Sequence, residues 1–392
     1  MRPLDGITVV SLEQAVAAPF CTRQLADYGA RVIKIERPGT GDFARAYDST
    51  VNGLSSYFVW LNRSKESVAL DLKQPAAREI LNALVSRADV LVQNLGPGAA
   101  TRLGLDFPRL SAKHPRLIVV DVSGYGQDGP FAEKKAYDLL VQAESGLVSV
   151  TGSDGALSRC GVSIADISAG MYAFSGTLLA LRHRDQTGRG TRVDVTMLEA
   201  LAEWMSQPLY FGQYGGQAPP RSGASHPTIA PYGPHRAGDG RDVLFGIQNE
   251  REWMRFCVEV LNQPSLATDE RFAGNSQRVS NRGALTHIIE SSFARMSAQE
   301  VVESLDRAGI ANGRVNDVHA AAKHEQLAAR HRWHRVEAGG GSVDALLPPA
   351  NIDGVDAVMG PVPDVGQHTA AVLAELGHDH ASIDLLRSTG AI

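Results

Sequence analysis

The first 126 residues repeat one rhythm: a short run rich in Val, Ile and Leu, a stretch with helical spacing, then another run. The runs are ITVVSL (7–12), ARVIKIE (30–36), SVALDL (67–72), DVLVQNL (89–95) and RLIVVDVSGYG (116–126). Between them, PFCTRQLADYG (19–29) ends at a glycine and PAAREILNALVSRA (75–88) carries helical apolar spacing. Strands apolar on both faces, alternating with helices, predict an α/β fold with a parallel sheet covered by helices. Ligands of such sheets bind beyond the carboxyl ends of the strands. The loops after Leu12, Glu36, Leu72 and Leu95 are therefore where a site is expected. No GxGxxG follows the first strand; SLEQAVAAPFC stands at that turn, which argues against a glycine-rich dinucleotide motif. Its small residues read either as close helix–strand packing or as backbone that a ligand can approach.

The 392 residues exceed what one core usually organises, so two domains are expected. After a helix over Met197–Trp204 the composition shifts: QYGGQAPPRSGASHPTIAPYGPH (213–235) is rich in Gly, Pro and Ser. This divides the chain into a large domain over 1–205, a small one over 225–325, and a linker with a helical C-terminal return over 326–392. A net charge of −5 gives no electrostatic reason for a nucleic-acid or anionic-membrane partner. Cys21, Cys160 and Cys257 form neither a CxxC pair nor a disulfide framework. No signal-peptide h-region is visible, and no apolar run is read as approaching a membrane span, so a cytoplasmic protein is expected. His319, His324, His331 and His334 read as a solvated helix face rather than a metal site, because no HExxH or cysteine partner accompanies them. No metal is expected.

Two features point to chemistry. KIERPGTGDFAR (34–45) sets Lys34, Arg37 and Arg45 around a Pro-Gly turn, LDLK puts Lys73 just past a strand, and NLGPGAATRLG adds Arg102. Each alone reads as a surface charge, yet their shared place at strand ends suits a phosphorylated ligand. GVSIADISAGMYAFSG (161–176) isolates Asp166 among small and apolar residues, with Met171, Phe174, Leu178 and Leu181 at helical spacing behind it. Asp166 reads as a helix N-cap or as a carboxylate placed for nucleophilic chemistry.

Longer stretches carry a resemblance. PLDGITVVSLEQAVAAPFCTRQLADYGARVIKIERPGTGD, SYFVWLNRSKESVALDLK, ADVLVQNLGPGAATRLGLD, KAYDLLVQAESGLVSVTG, LLALRHRDQTGRGTRVDV and GQHTAAVLAELG resemble, in order, the formyl-CoA transferase-like family. These are the class III CoA-transferases of the CaiB/BaiF superfamily. The resemblance implies a large Rossmann-like parallel-sheet domain built from both ends of the chain, a smaller α+β domain, and an interlaced homodimer. It places Asp166 at the family's nucleophilic aspartate. It places Val16, Ala17, Arg37, Leu70, Asp71, Leu72, Lys73, Asn94, Leu95, Gly96 and Arg102 on positions that bind coenzyme A. Lys135, Ala136, Tyr137 and Asp138 fall on a further CoA-contacting stretch beside the thioester. CoA enters as part of the substrate, with no permanently bound cofactor.

The chemistry gives an isolated carboxylate a purpose. A carboxylate that attacks a thioester forms a mixed anhydride and releases CoA thiolate. The thiolate then attacks the aspartyl carbonyl, freeing the first acid and leaving an aspartyl-CoA thioester, and an acceptor acid reverses the sequence. The reference pKa of an aspartate, about 3.9, keeps it ionised without a base. A helix start beside it would help and could supply N–H groups to an oxyanion. The same superfamily contains 2-methylacyl-CoA racemases, which pair this Asp with an upstream histidine because racemisation needs an acid/base group on each face. Tyr137 stands where that histidine would be, which favours the transferase. The family's glycine-rich small-domain loop is absent from SGASHPTIAPYGPHRAGDG, which argues against oxalate and formate, and its HPTIAPYG form resembles members that handle larger dicarboxylic acids such as succinate, mesaconate, citramalate or glutarate derivatives. His226, Tyr232 or a nearby arginine is then a candidate to orient the second carboxylate, although His226 reads at least equally as a loop hydrogen bond to backbone. The alternatives are the racemase, a CoA-binding protein without catalysis, and an intramolecular transferase.

Overall fold

The computed structural model describes residues 1–392. Six parallel strands form the main sheet: β1 (Thr8–Leu12), β2 (Arg31–Glu36), β3 (Lys65–Ala69), β4 (Val90–Gln93), β5 (Ile118–Ser123) and β6 (Arg192–Thr196). Their order is β3-β2-β1-β4-β5-β6, with every neighbouring pair parallel. The winding reverses between β1 and β4, which opens a crevice beyond their carboxyl ends. Register holds Val9 opposite Val32 on one side and Val90 on the other, deep in the sheet. β1, β2, β4 and β5 lie where the apolar runs predicted them, whereas β3 begins two residues before its run and ends at Ala69, leaving Leu70 to Leu72 beyond the strand. β6 carries Arg192 and Asp194 on the sheet's outer edge, and its mixed pattern gives no such signal.

Helices cover the sheet: α1 (Ala17–Asp27), α2 (Ser56–Asn62), α3 (Pro75–Arg87), α4 (Phe107–Lys113), α5 (Asp138–Glu144), α6 (Ile164–Thr187) and α7 (Met197–Trp204). α3 opens with proline, whose fixed φ and missing N–H suit a first turn. Its Ala77, Ile80, Leu81, Leu84 and Val85 form one buried stripe against Val10, Ile33, Leu91 and Val119. Val372, Leu373 and Ile383 from the C-terminal helices Thr369–Glu375 and His380–Ser388 join that core.

The exposed edge of β3 is closed by the same C-terminal segment. Ser67 N–H donates to His368 Nδ1 at 3.1 Å, and Ser67 C=O accepts from His368 N–H at 2.9 Å. Ala69 N–H donates to Thr369 Oγ1 at 2.9 Å.

α6 corrects the reading that no segment approaches a membrane span: by length and composition it is apolar enough to cross one. It packs on α1, α5, α7, β5 and β6 through small residues, while Met171, Tyr172, Leu178 and Leu179 are exposed in the single chain. Ala165, Ala169, Ala173 and Ala180 are buried along it. At Gly170 a Cβ would lie 2.6 Å from the Ala17 carbonyl, so glycine permits the close approach of α6 to the start of α1.

The chain divides into two compact units. The larger comprises Met1–Gly146, Cys160–Ser206 and Leu327–Ile392; the smaller comprises Leu147–Arg159 and Gln207–Gln326. The excursion Leu147–Arg159 therefore sits inside the 1–205 stretch read as continuous. The smaller unit has an antiparallel sheet in the order Asn312–Arg314, Asp242–Gly246, Tyr232–Arg236. Its core gathers Phe245, Trp253, Phe256, Phe272, Ile289 and Phe293. The helix Ala298–Arg307 closes it with a Ser297/Glu300 capping box.

The four histidines read as one helix face do not share one. His319 lies on the short helix Val318–Ala322, His324 follows it, His331 has a left-handed φ of 51° and His334 lies on the strand Trp333–Ala338. Short polar helices broken by turns mimic one long helix in sequence.

Candidate active site

The loop after β1 is held from both sides of the crevice. Asn94, at the end of β4, accepts from Gln14 N–H and donates to Gln14 C=O, both at 2.9 Å. Ala15 adopts a left-handed φ of 61°, a strained choice for a residue with a Cβ. Its N–H donates to Asp42 Oδ1 at 3.1 Å, which fixes that conformation. The chain then enters α1 through Val16, which supplies no side-chain cap. Val16 and Ala17 are thus placed at an uncapped helix start above the sheet's switch point, an arrangement that favours anions. Leu95 N–H is held by Gln93 Oε1 at 2.8 Å, and Gln93 in turn donates to Asp121 at 2.9 Å.

The structure divides the basic residues predicted to meet a phosphorylated ligand. Lys34 and Arg45 do not face one. Lys34 is fully buried and pairs with Asp42 at 2.7 Å and Glu13 at 3.4 Å. Lys65 joins Glu13 at 2.7 Å, and Thr22 Oγ1 donates to the other Glu13 oxygen at 2.6 Å. Burial opposes the charge on Lys34, but Asp42 and Glu13 overcome it and raise its pKa. Burial pulls Lys65 down to about 8 against the attraction of Glu13. Arg45 grips Glu36 through two bonds, at 2.9 and 2.7 Å. Burial works against the Glu36 charge, yet Arg45 and Lys34 win and hold its carboxyl at about 2. Arg37, Lys73 and Arg102 remain exposed on the loops after β2, β3 and β4. Around them Leu70 is buried, Asp71, Leu72 and Leu95 are half-buried, and Gly96 is exposed.

Asp166 is not the N-cap of α6. Ser163 occupies that position without a side-chain bond, and Asp166 lies within the first turn. The cap comes from elsewhere in the chain: Asp138 Oδ1 accepts from Ala165 N–H at 2.8 Å and Asp166 N–H at 3.2 Å. Its second oxygen accepts from Gln142 at 2.6 Å. Burial, and then the charge of Asp138, push the Asp166 carboxyl up to about 7. This corrects the expectation that Asp166 ionises at its reference value with help from the helix start: the neighbouring carboxylate already occupies that helix start.

Lys135 and Tyr137 are exposed beside this pair, Tyr137 at 66%, and Ala136 packs against Gly124. A residue that sequence reasoning missed is Tyr47. Burial raises its phenol to about 12, with Asp42, Asp166, Tyr137 and Tyr57 adding to the effect. Its ring meets Tyr57 edge-on at 5.4 Å and Phe43 at 5.7 Å. The signal was the aromatic spacing in DFARAY, just past the Pro-Gly turn. In the smaller unit, His226 and Tyr232 stack at 5.3 Å with 12° between their planes. His226 Nδ1 accepts from Thr228 N–H at 3.2 Å, a local backbone bond of the kind the loop reading described.

The larger unit thus offers a half-buried carboxylate that titrates near neutrality, with three free cations on loops of the same sheet. The family model of CoA-transferase family III matches residues 4–369. The chain is 38% identical to an acetyl-CoA:oxalate CoA-transferase of Acetobacter aceti, over 90% of each chain. It is 32% identical to a succinyl-CoA:glutarate CoA-transferase of Mus musculus, over 100% of this chain and 91% of that one. Among solved structures, a CAIB/BAIF family protein from Brucella suis matches with a TM-score of 0.86 and 32% identity, covering 96% of this chain and 99% of that one.

Proposed function

The chain belongs to CoA-transferase family III, and on that premise we propose that it moves coenzyme A from an acyl-CoA to a free dicarboxylic acid through a thioester on Asp166. The observation that carries this reading is the placement of Asp166: a partly buried carboxylate in the first turn of α6, held near pKa 7. A carboxylate of that pKa is about half ionised at neutral pH and a better nucleophile than an ordinary one. Its attack on the thioester carbonyl expels CoA thiolate and leaves a mixed anhydride. The thiolate returns to the aspartyl carbonyl, releasing the first acid as its carboxylate. The acceptor carboxylate then attacks the aspartyl-CoA carbonyl and takes the CoA by the reverse steps.

The relatives that support a dicarboxylic acceptor act on oxalate and on glutarate. Oxalate therefore returns as a candidate alongside succinate-sized acids, because the missing glycine run alone does not exclude it. Arg37, Lys73 and Arg102 are suited to the phosphates of CoA. The family's interlaced homodimer belongs to the same reading. Leu139 and Leu140 on α5 and Leu178 and Leu179 on α6 are exposed in the single chain, and a partner would cover them.

The test is peptide mass mapping after incubation with succinyl-CoA and trapping by hydroxylamine, with Asp166→Asn beside the unmodified chain. An acyl hydroxamate on the peptide that holds Asp166, absent from Asp166→Asn, is the expected result. Exchange of the α-proton of 2-methylacyl-CoA in deuterated water, with no trapped aspartyl adduct, would instead establish the racemase.

A further inference from the structure

The smaller unit holds a cavity walled in part by Tyr232, one of the residues read as candidates for the second carboxylate. It encloses about 80 Å³ against the segment 225–235 and the helix Arg282–Phe293. That is the space of two or three water molecules at ~30 Å³ each, enough for a carboxylate or phosphate group but not for an acyl chain. Five polar side chains line it: Ser225, Tyr232, His235, Arg282 and Thr286.

Arg282 has no carboxylate partner. Its Nη2 donates to the carbonyls of His226 at 2.7 Å and Ile229 at 3.1 Å, which leaves Nη1 and Nε uncommitted within the chain. Burial lowers its pKa, and no acid offsets that effect. His235 is 5% exposed, with its ring 4.9 Å from that of Phe245 and its Nδ1 without a partner. Burial holds this imidazole at about 4, with Glu290 opposing and Arg282 adding to the shift, so it is neutral at physiological pH. Glu290, the acid that acts on His235, is itself engaged by Arg236 N–H at 3.4 Å.

Buried polar groups are normally satisfied, yet His235 Nδ1 has no partner, and the partly buried Arg282 beside it has no counter-charge. Here a cation with two N–H directions unused within the chain, a neutral imidazole and three hydroxyls, the Tyr232 phenol among them, line one small space. We propose that this cavity is a binding site for a small oxyanion, either a carboxylate group or inorganic phosphate, taken by Arg282 with His235, Ser225 and Thr286 completing the shell. The guanidinium fork matches the two oxygens of such a group. The site stands independently of the chemistry on Asp166.

The test is isothermal titration of the full chain with succinate and, separately, with inorganic phosphate, at constant chloride. His235→Phe removes the ring nitrogens but keeps the packing on Phe245, and Thr286→Val removes one hydroxyl. Both leave the Arg282 bonds to the loop carbonyls in place. Saturable binding of at least one anion is expected, weakened at least fivefold in each variant at unchanged melting temperature and retained in Asp166→Asn. Whichever anion binds identifies the ligand's source. Absence of saturable binding by both anions would overturn the proposal, as would binding in His235→Phe and Thr286→Val as tight as in the unmodified chain, or binding lost in Asp166→Asn. None of these failures touches the hydroxylamine result, which reads the transfer chemistry separately.

Discussion

Replacing Asp166 with asparagine is expected to stabilise the protein above neutral pH while abolishing transfer. The carboxyl is raised from 3.8 to about 7, by burial first and Asp138 second. The folded state therefore binds this proton more tightly than the unfolded chain. The Asp166 contribution to stability then falls as pH rises from about 4 to about 7, and the full penalty applies above that. A shift of roughly three units at 1.36 kcal/mol each amounts to about 4 kcal/mol. Solvent still reaches part of the side chain, so ~2 to 4 kcal/mol is the working range. Asparagine is nearly isosteric, carries no charge to desolvate and leaves the Asp138 bonds to the α6 backbone intact. Thermal melting of both proteins at pH 8 and pH 5, at one protein concentration, measures the difference. The variant should melt higher at pH 8, with the gain falling to less than half at pH 5. A variant that melts at or below the unmodified protein at pH 8 would refute the claim that burial penalises this carboxylate. A gain of equal size at both pH values would refute the assignment of the penalty to ionisation.

Two further outcomes follow from the same geometry. Asp138→Asn keeps the oxygen that accepts from Ala165 and Asp166 but removes the charge. The acidic limb of the acylation rate should move down by about one pH unit, the size expected for two carboxylates several ångströms apart at an effective dielectric between protein and water, while burial keeps it above the ordinary aspartate range. A stopped-flow pH profile of CoA release checks this. Gly170→Ala puts a methyl 2.6 Å from the Ala17 carbonyl, so α6 must move away from the start of α1. A loss of about 1 to 3 kcal/mol is expected in urea unfolding, together with a raised KM for acyl-CoA.

Legibility in the sequence followed burial. β1 to β5 were readable because strands buried on both faces are continuously apolar, whereas β6 mixes charge with valine at the sheet edge and was not. Asp166 was readable as a lone acid among small residues. Its pKa was not, because that depends on its depth and on a carboxylate 28 residues earlier. Lys34 and Arg45 looked like ligand-binding cations because a buried ion pair and a surface charge are spelled alike. Their partners are Glu13, Asp42 and Glu36, and only the fold brings those groups together. Tyr47 was passed over because the Phe43/Tyr47 spacing in DFARAY shows a pair of aromatics but not that the fold sets the phenol near Asp166.

The closure of β3 by residues 366–369 has a consequence for how the molecule is made. Every strand of the main sheet has been synthesised by residue 196, yet the hydrogen-bonding edge of β3 waits for His368 and Thr369, about 300 residues later. During translation the nascent chain then carries a sheet whose β3 margin is open to pair with an extended strand nearby. A segment made about 300 residues after β3 thus acts as the latch on that strand.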